Sequence, residues 1–123
     1  MKKLIASLLC TAYLFSCTKE NEPLQEFKIK VGEQFTIELE ANWSTGYSWE
    51  WENRQEVFAV DTISRVYIQL EPGMEGSAGV EKWTFVGKDV GTETIIFYYM
   101  RANSQDSEPS KTREYLVDVV SSW

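Results

Sequence analysis

Histidine is absent from this chain. Without an imidazole there is no Ser-His-Asp or Cys-His nucleophile, and no histidine-ligated metal. Cysteine occurs twice, as Cys10 and Cys17, both close to the N-terminus. A domain lying beyond them has no disulfide and no thiolate metal site, so it must fold on its hydrophobic core alone. Long apolar runs are also missing. The longest, Leu4 to Phe15, is about a dozen residues and too short to span a bilayer comfortably. Positive charge is scarce: 12 Lys and Arg stand against 19 Asp and Glu, a formal net charge of −7. An acidic chain repels nucleic acid and anionic lipid, so neither is an expected partner.

The N-terminus has the layout of an export signal. Lys2 and Lys3 precede the apolar run, which ends in Leu14-Phe15-Ser16-Cys17. That ending resembles a bacterial lipobox, with Phe15 bulkier than the usual residue. It implies cleavage before Cys17 and acylation of that cysteine. Residues 1–16 are therefore expected as a lipoprotein signal peptide, and 17–26, polar and holding Pro23, as a flexible tether. The expected location is the bacterial cell envelope, lipid-anchored and facing the periplasm or the surface. The remainder, 27–123, suffices for one domain with one core.

The domain reads as strands. Phe35, Ile37, Leu39 and Ala41 alternate with Thr36, Glu38 and Glu40, and Tyr47, Trp49 and Trp51 alternate with Ser48 and Glu50. Further strands are predicted over 57–60, 63–70, 80–86, 92–100 and 113–120. Between them lie a Gly-rich loop at 71–79, a turn at 88–91 and a polar loop at 102–111. Seven or so short strands with regular turns and no helical period predict an all-β, immunoglobulin-like sandwich of about seven or eight strands. Trp83, Phe85, Phe97 and Tyr99 are predicted core, with Tyr98 on the opposite face.

Three loops carry a resemblance. Asn42-Trp43-Ser44-Thr45-Gly46-Tyr47-Ser48-Trp49 is similar to the N-P-T-T-G-aromatic loop and following Trp of chagasin-type inhibitors of papain-like cysteine proteases. Gly76-Ser77-Ala78-Gly79 stands where that family has G-x-G-G, and Arg101-Ala102-Asn103 where it has R-P-W. The departures are Trp43 for proline, Ser44 for the first threonine, Ala78 for a glycine, and the lost aromatic of the third loop. The resemblance spans Phe27 to about Val120. It implies a reversible protein inhibitor, a monomer without enzymatic activity or cofactor, whose three loops occlude the protease cleft from one end of the sandwich.

Loops held by a rigid scaffold suit that task because little loop entropy is lost on docking. Asn42 can bond its own loop, Ser44 and Thr45 offer short hydroxyls, and Gly46 permits positive φ. Gly76 and Gly79 would let backbone approach the groove wall, and Arg101 would add a rim contact. Trp43 has two readings. It is either a loop-tip anchor, worth ~2 kcal/mol or more if buried in a partner, or a side chain folded back on the sandwich.

Other candidates have plainer readings. Glu50 and Glu52 lie roughly 6–7 Å apart on one strand face, a spacing that overlaps that of glycosidase carboxylates. They sit opposite the aromatic face, however, and read as a solvated surface. Asp106, Ser107 and Glu108 lack the count and spacing of a calcium cage. Asn42-Trp43-Ser44 matches an N-glycosylation acceptor, which a bacterial lipobox makes irrelevant. The alternative to inhibition is a non-inhibitory binding or adhesion module in an envelope protein complex.

Overall fold

Alternating burial governs most of the strands that build the core. In the computed structural model, which describes residues 24–102 and 108–122, the strands are β1 (Gln25–Lys30), β2 (Gln34–Ala41), β3 (Tyr47–Trp51), β4 (Val60–Gln69), β5 (Gly79–Gly87), β6 (Gly91–Arg101) and β7 (Lys111–Val120). They form two sheets, one of order β1-β7-β6-β3 and one of order β2-β5-β4. The architecture is the expected immunoglobulin-like sandwich. The signal peptide 1–16, Cys17, the tether up to residue 23, and Asn103, Asp106 and Ser107 lie outside the described residues.

β2 shows why the pattern works. Phe35, Ile37, Leu39 and Ala41 are buried while Thr36, Glu38 and Glu40 face water. β5 pairs with β2 antiparallel and sends Trp83 and Phe85 to the same interior. From the other sheet come Trp49, Trp51, Ile95, Phe97, Tyr99, Tyr115, Val117 and Val119. The rings interlock in sequence: Phe85 stacks on Phe35 at 5.4 Å and meets Trp51 edge-on at 5.0 Å, and Trp83 meets Phe97 edge-on at 4.9 Å. Each such side chain contributes on the order of 1.5–3 kcal/mol of burial. This is how a domain without cross-links holds together. The predicted core residues Trp83, Phe85, Phe97 and Tyr99 are all buried, and Tyr98 is half-buried on the outer face.

The strand boundaries differ most from the sequence reading in two places. β1 begins at Gln25, within the segment expected as tether, and pairs parallel with β7 from Gln25↔Tyr115 to Lys30↔Val120. Residues 57–59, expected as the start of a short strand, are not in one, and β4 takes up Val60. The Glu93 carboxylate accepts the N–H groups of Phe58 and Ala59, both at 2.8 Å, and so takes the place of a neighbouring strand. β4 then starts earlier than expected, with a register shift between Thr62 and Ser64 that leaves Ile63 exposed.

Candidate functional site

The β2–β3, β4–β5 and β6–β7 connections lie at the same end of the sandwich, and two hydrogen bonds join them. The Asn42 Nδ2 amide donates to the Gly76 carbonyl at 3.0 Å, linking the first loop to the second. The Ala102 N–H donates to the Gly46 carbonyl at 3.3 Å, linking the third loop to the first. Of the residues singled out from sequence, the structure therefore brings together Asn42, Gly46, Gly76 and Ala102. Asn103 is outside the described residues.

The first loop closes on itself. Trp43–Thr45 form one 3₁₀ turn capped by Asn42, whose Oδ1 accepts from the Ser44 N–H at 3.1 Å and from the Ser44 hydroxyl at 2.6 Å. The Thr45 hydroxyl donates to the Asn42 carbonyl at 2.6 Å, and the Tyr47 N–H returns a 3.3 Å bond to the Thr45 Oγ1. Gly46 ends the turn with φ of 89°, a left-handed conformation that carries little cost without a Cβ. Behind the turn, the Asn42 N–H donates to the Tyr99 hydroxyl at 3.0 Å. Every short polar side chain of the loop is thus used internally, and the loop is ordered before any partner arrives.

Trp43 folds back on the sandwich. Its indole stacks on Tyr67 with centroids 4.3 Å apart and planes 6° from parallel. Its Nε1 donates to the Glu81 Oε2 at 2.8 Å. The residue is still 42% exposed, so its indole remains open to a partner. Beside it, Trp43, Gly46, Tyr47, Ser48 and Arg65 line a shallow hollow of about 280 Å³. On the third-loop side the Arg101 guanidinium lies 5.0 Å from the Tyr47 ring centroid, a cation–π contact that fixes the arginine at the rim.

The second loop is shaped by Gly73 and Gly76, both at positive φ, and by Gln69, whose amide donates to the Ser77 hydroxyl at 3.0 Å. Gly76 and Ala78 are exposed and Ser77 is half-buried. Gly79 differs from the other three. It is buried at the start of β5, where Tyr67 and the Ile68 carbonyl occupy the space a Cβ would need, so its smallness serves internal packing.

Several residues that hold this end in place were not legible as site residues. Glu81 is 0% exposed, in the middle of the core. Its Oε2 also accepts the Trp49 N–H at 3.0 Å, and its Oε1 accepts the Trp83 Nε1 at 2.9 Å and the Arg65 Nη2 at 3.2 Å. Arg65 also donates to the Trp49 carbonyl at 2.9 Å and lies over the Trp83 ring. Tyr67 and Tyr99 support the first loop from below. One signal did exist: Glu81 shares the inward parity of Trp83 and Phe85 on the strand predicted over 80–86. Glu50 and Glu52, the paired carboxylates, are exposed as expected.

The profile described as Chagasin family peptidase inhibitor I42 matches residues 28–118. Amoebiasin-2 of Entamoeba histolytica is 31% identical over 116 residues, covering 90% of this chain and 92% of its own. The crystal structure of the cysteine protease inhibitor EhICP2 from Entamoeba histolytica superposes with a TM-score of 0.67 at 26% identity, covering 78% of this chain and 86% of that one. The solution structure of Amebosin gives a TM-score of 0.61 at 26% identity, covering 76% of this chain and 87% of the other.

Proposed function

This chain belongs to the chagasin family of peptidase inhibitors, and from that premise we propose that it reversibly inhibits papain-like cysteine proteases by occluding their active-site cleft with three loops. The observation that carries the reading is the pair of inter-loop bonds, Asn42 to Gly76 and Ala102 to Gly46, which set three loops side by side at one end of a rigid sandwich. A preformed edge of this kind loses little conformational entropy on docking. Ser44 and Thr45 form the central wedge. Gly76, Ser77 and Ala78 flank one side, and Arg101 and Ala102 the other. The wedge resists cleavage because its backbone is curled into a capped 3₁₀ turn, whereas a scissile bond must lie extended before the nucleophile. The similarity to EhICP2, a cysteine protease inhibitor, supports the target class.

The test is titration of the full chain against papain and a cathepsin-L-like protease, following residual activity. Competitive, reversible inhibition that is lost on Thr45→Arg supports the reading; a folded protein without effect on any papain-like protease refutes it. One observation favours a second reading, a non-inhibitory binding module of the cell envelope. Trp43 is folded inward, and the third loop has Ala102 and Asn103 where the family has proline and tryptophan, so no aromatic projects from the first loop as an anchor.

The same proposal places the protein in the cell envelope as a lipid-anchored monomer, held by acylation of Cys17. Metabolic labelling with a radioactive fatty acid, lost on Cys17→Ala, is the expected result.

A further inference from the structure

A carboxylate with no solvent exposure is an expensive core residue. Removing it from water costs several kcal/mol unless donors saturate it. At Glu81 five donor contacts do so: the Trp43 and Trp83 indoles, the Trp49 N–H, and the Nε and Nη2 of Arg65. An apolar residue would fill the same space without this apparatus. Four of the contacts stay in the core: those from Trp83 and Arg65 lie within the sheet that holds Glu81, and the Trp49 N–H, on β3, ties that sheet to the other. The fifth reaches out of the core to Trp43, in the first loop, 38 positions earlier in the chain.

That bond acts on a feature the loop's own bonds leave open. Asn42, Ser44 and Thr45 close the 3₁₀ turn on itself and so define its shape. They do not define how the turn is tilted on the sandwich. Tilt is set by the attachments to the scaffold: Asn42 N–H to Tyr99, Trp43 N–H to Tyr67 at 3.4 Å, the Trp43 stack on Tyr67, and the Trp43 indole on Glu81. Of these, the bond to Glu81 is the one made to a charged acceptor, the stronger kind. It draws the indole down onto the β4–β5 sheet, which leaves Ser44 and Thr45 as the tip.

We propose that Glu81 is the positioning residue of the binding edge: it touches no partner, and through the Trp43 indole it sets the tilt at which the first loop enters the protease cleft. This rests on the inhibitor reading. In this chain a side-chain clamp therefore supplies the stiffness that the family's proline supplies at position 43. Trp43 is then a clamp first, and its accessible surface contributes area rather than a pocket-filling anchor.

The experiment uses the full chain and three variants, Trp43→Phe, Glu81→Gln and their combination, with Thr45→Arg as the control on the site itself. Trp43→Phe keeps a ring on Tyr67 and removes the N–H, while Trp49, Trp83 and Arg65 still saturate Glu81. It is expected to fold normally and to inhibit papain roughly tenfold more weakly, mainly through slower association. In the free wild-type protein the Trp43 indole N–H is expected to exchange with solvent at least tenfold more slowly than an exposed indole, and Glu81→Gln is expected to abolish that protection. Because both substitutions break the same bond, adding Glu81→Gln to Trp43→Phe is expected to weaken inhibition less than adding it to wild type. A purely structural role would give additive losses. Trp43→Phe inhibiting like wild type, or an unprotected Trp43 indole, overturns the positioning role while Thr45→Arg still reports on the site. A wild-type chain that inhibits no papain-like protease overturns both. Should Glu81→Gln fail to fold, Trp43→Phe and the indole exchange still decide.

Discussion

Replacing Gly79 by alanine tests the packing beneath the binding edge. An ideal Cβ at this position would sit 2.5 Å from the Tyr67 Cζ, 2.6 Å from its hydroxyl and 2.6 Å from the Ile68 carbonyl oxygen. Carbon atoms in contact stay about 3.5–4.0 Å apart, so something must move by roughly an ångström. The Ile68 carbonyl belongs to the β4–β5 ladder, in which Ile68 faces Val80 and Gln69 faces Gly79. It cannot retreat without opening that ladder. The Tyr67 ring can swing, but the Trp43 indole is stacked on it at 4.3 Å and would be displaced as well. Overpacking of this kind costs about 1–3 kcal/mol. For a domain of this size, that corresponds to a fall in Tm of roughly 5–20 °C. Thermal unfolding followed by near-ultraviolet circular dichroism reads both effects, since the displaced indole changes the folded-state spectrum. In a Tyr67→Leu background two of the three close contacts vanish, and the cost of the alanine is expected to fall by about half or more. A Tm lowered by less than about 2 °C in the otherwise unaltered protein would refute the reasoning.

Gly46→Ala is expected to lower the denaturant midpoint by an amount equivalent to about 1–2 kcal/mol, from its left-handed φ alone. The added methyl would have room, the nearest atoms being in the Arg101 side chain at 3.9 Å. Gly46→Asn is expected to cost less, and an equal cost would show that φ is not the cause. Asn53→Ala removes the Oδ1 that accepts from the Trp51 indole and the Ile96 N–H, both at 3.0 Å, and the amide that donates to the Thr94 carbonyl at 2.8 Å. A loss of about 2–3 kcal/mol in urea unfolding, with inhibition unchanged, is the expected result. Lys82→Ala breaks a 3.7 Å pair with Glu38 on the outer face, where both side chains are well exposed. Its stability change is expected below about 0.5 kcal/mol and smaller still at high salt; a loss well above this would contradict the geometry.

The strands that were legible in the sequence are those whose two faces meet different surroundings. Phe35 to Ala41, Tyr47 to Trp51 and Arg113 to Val120 each line one side of the core, so local alternation reports their structure. β1 lacked that signal. Its only fully buried side chain is Ile29, and its pairing with β7 is a long-range match between the two ends of the domain. Residues 57–59 misled in the opposite sense. Val57 and Ala59 are buried and Phe58 is exposed, the pattern of a strand, yet the partner is the Glu93 side chain. At the site, loop identity could be read from short motifs, whereas the orientation of Trp43 depends on Tyr67 and Glu81, too distant in sequence for a local pattern to report. The role of Gly79 was hidden similarly: a glycine in a loop-like motif suggests backbone freedom, and here the constraint is the Tyr67 ring lying across it.

The Arg65–Glu81 pair, on neighbouring strands of one sheet, also guards the edge of the other. β3 is the last strand of its sheet, and at Trp49 its N–H is taken by Glu81 and its carbonyl by Arg65. Those are the groups another chain would use to add a strand. Exposed strand edges recruit one another when protein is concentrated, and folds commonly blunt them with charge. Here a buried carboxylate and a guanidinium from the opposite sheet occupy the edge as a stand-in neighbour. A second molecule could extend the sheet at Trp49 only by separating two opposite charges and leaving one of them in the core, so the arrangement discourages fibre growth along β3.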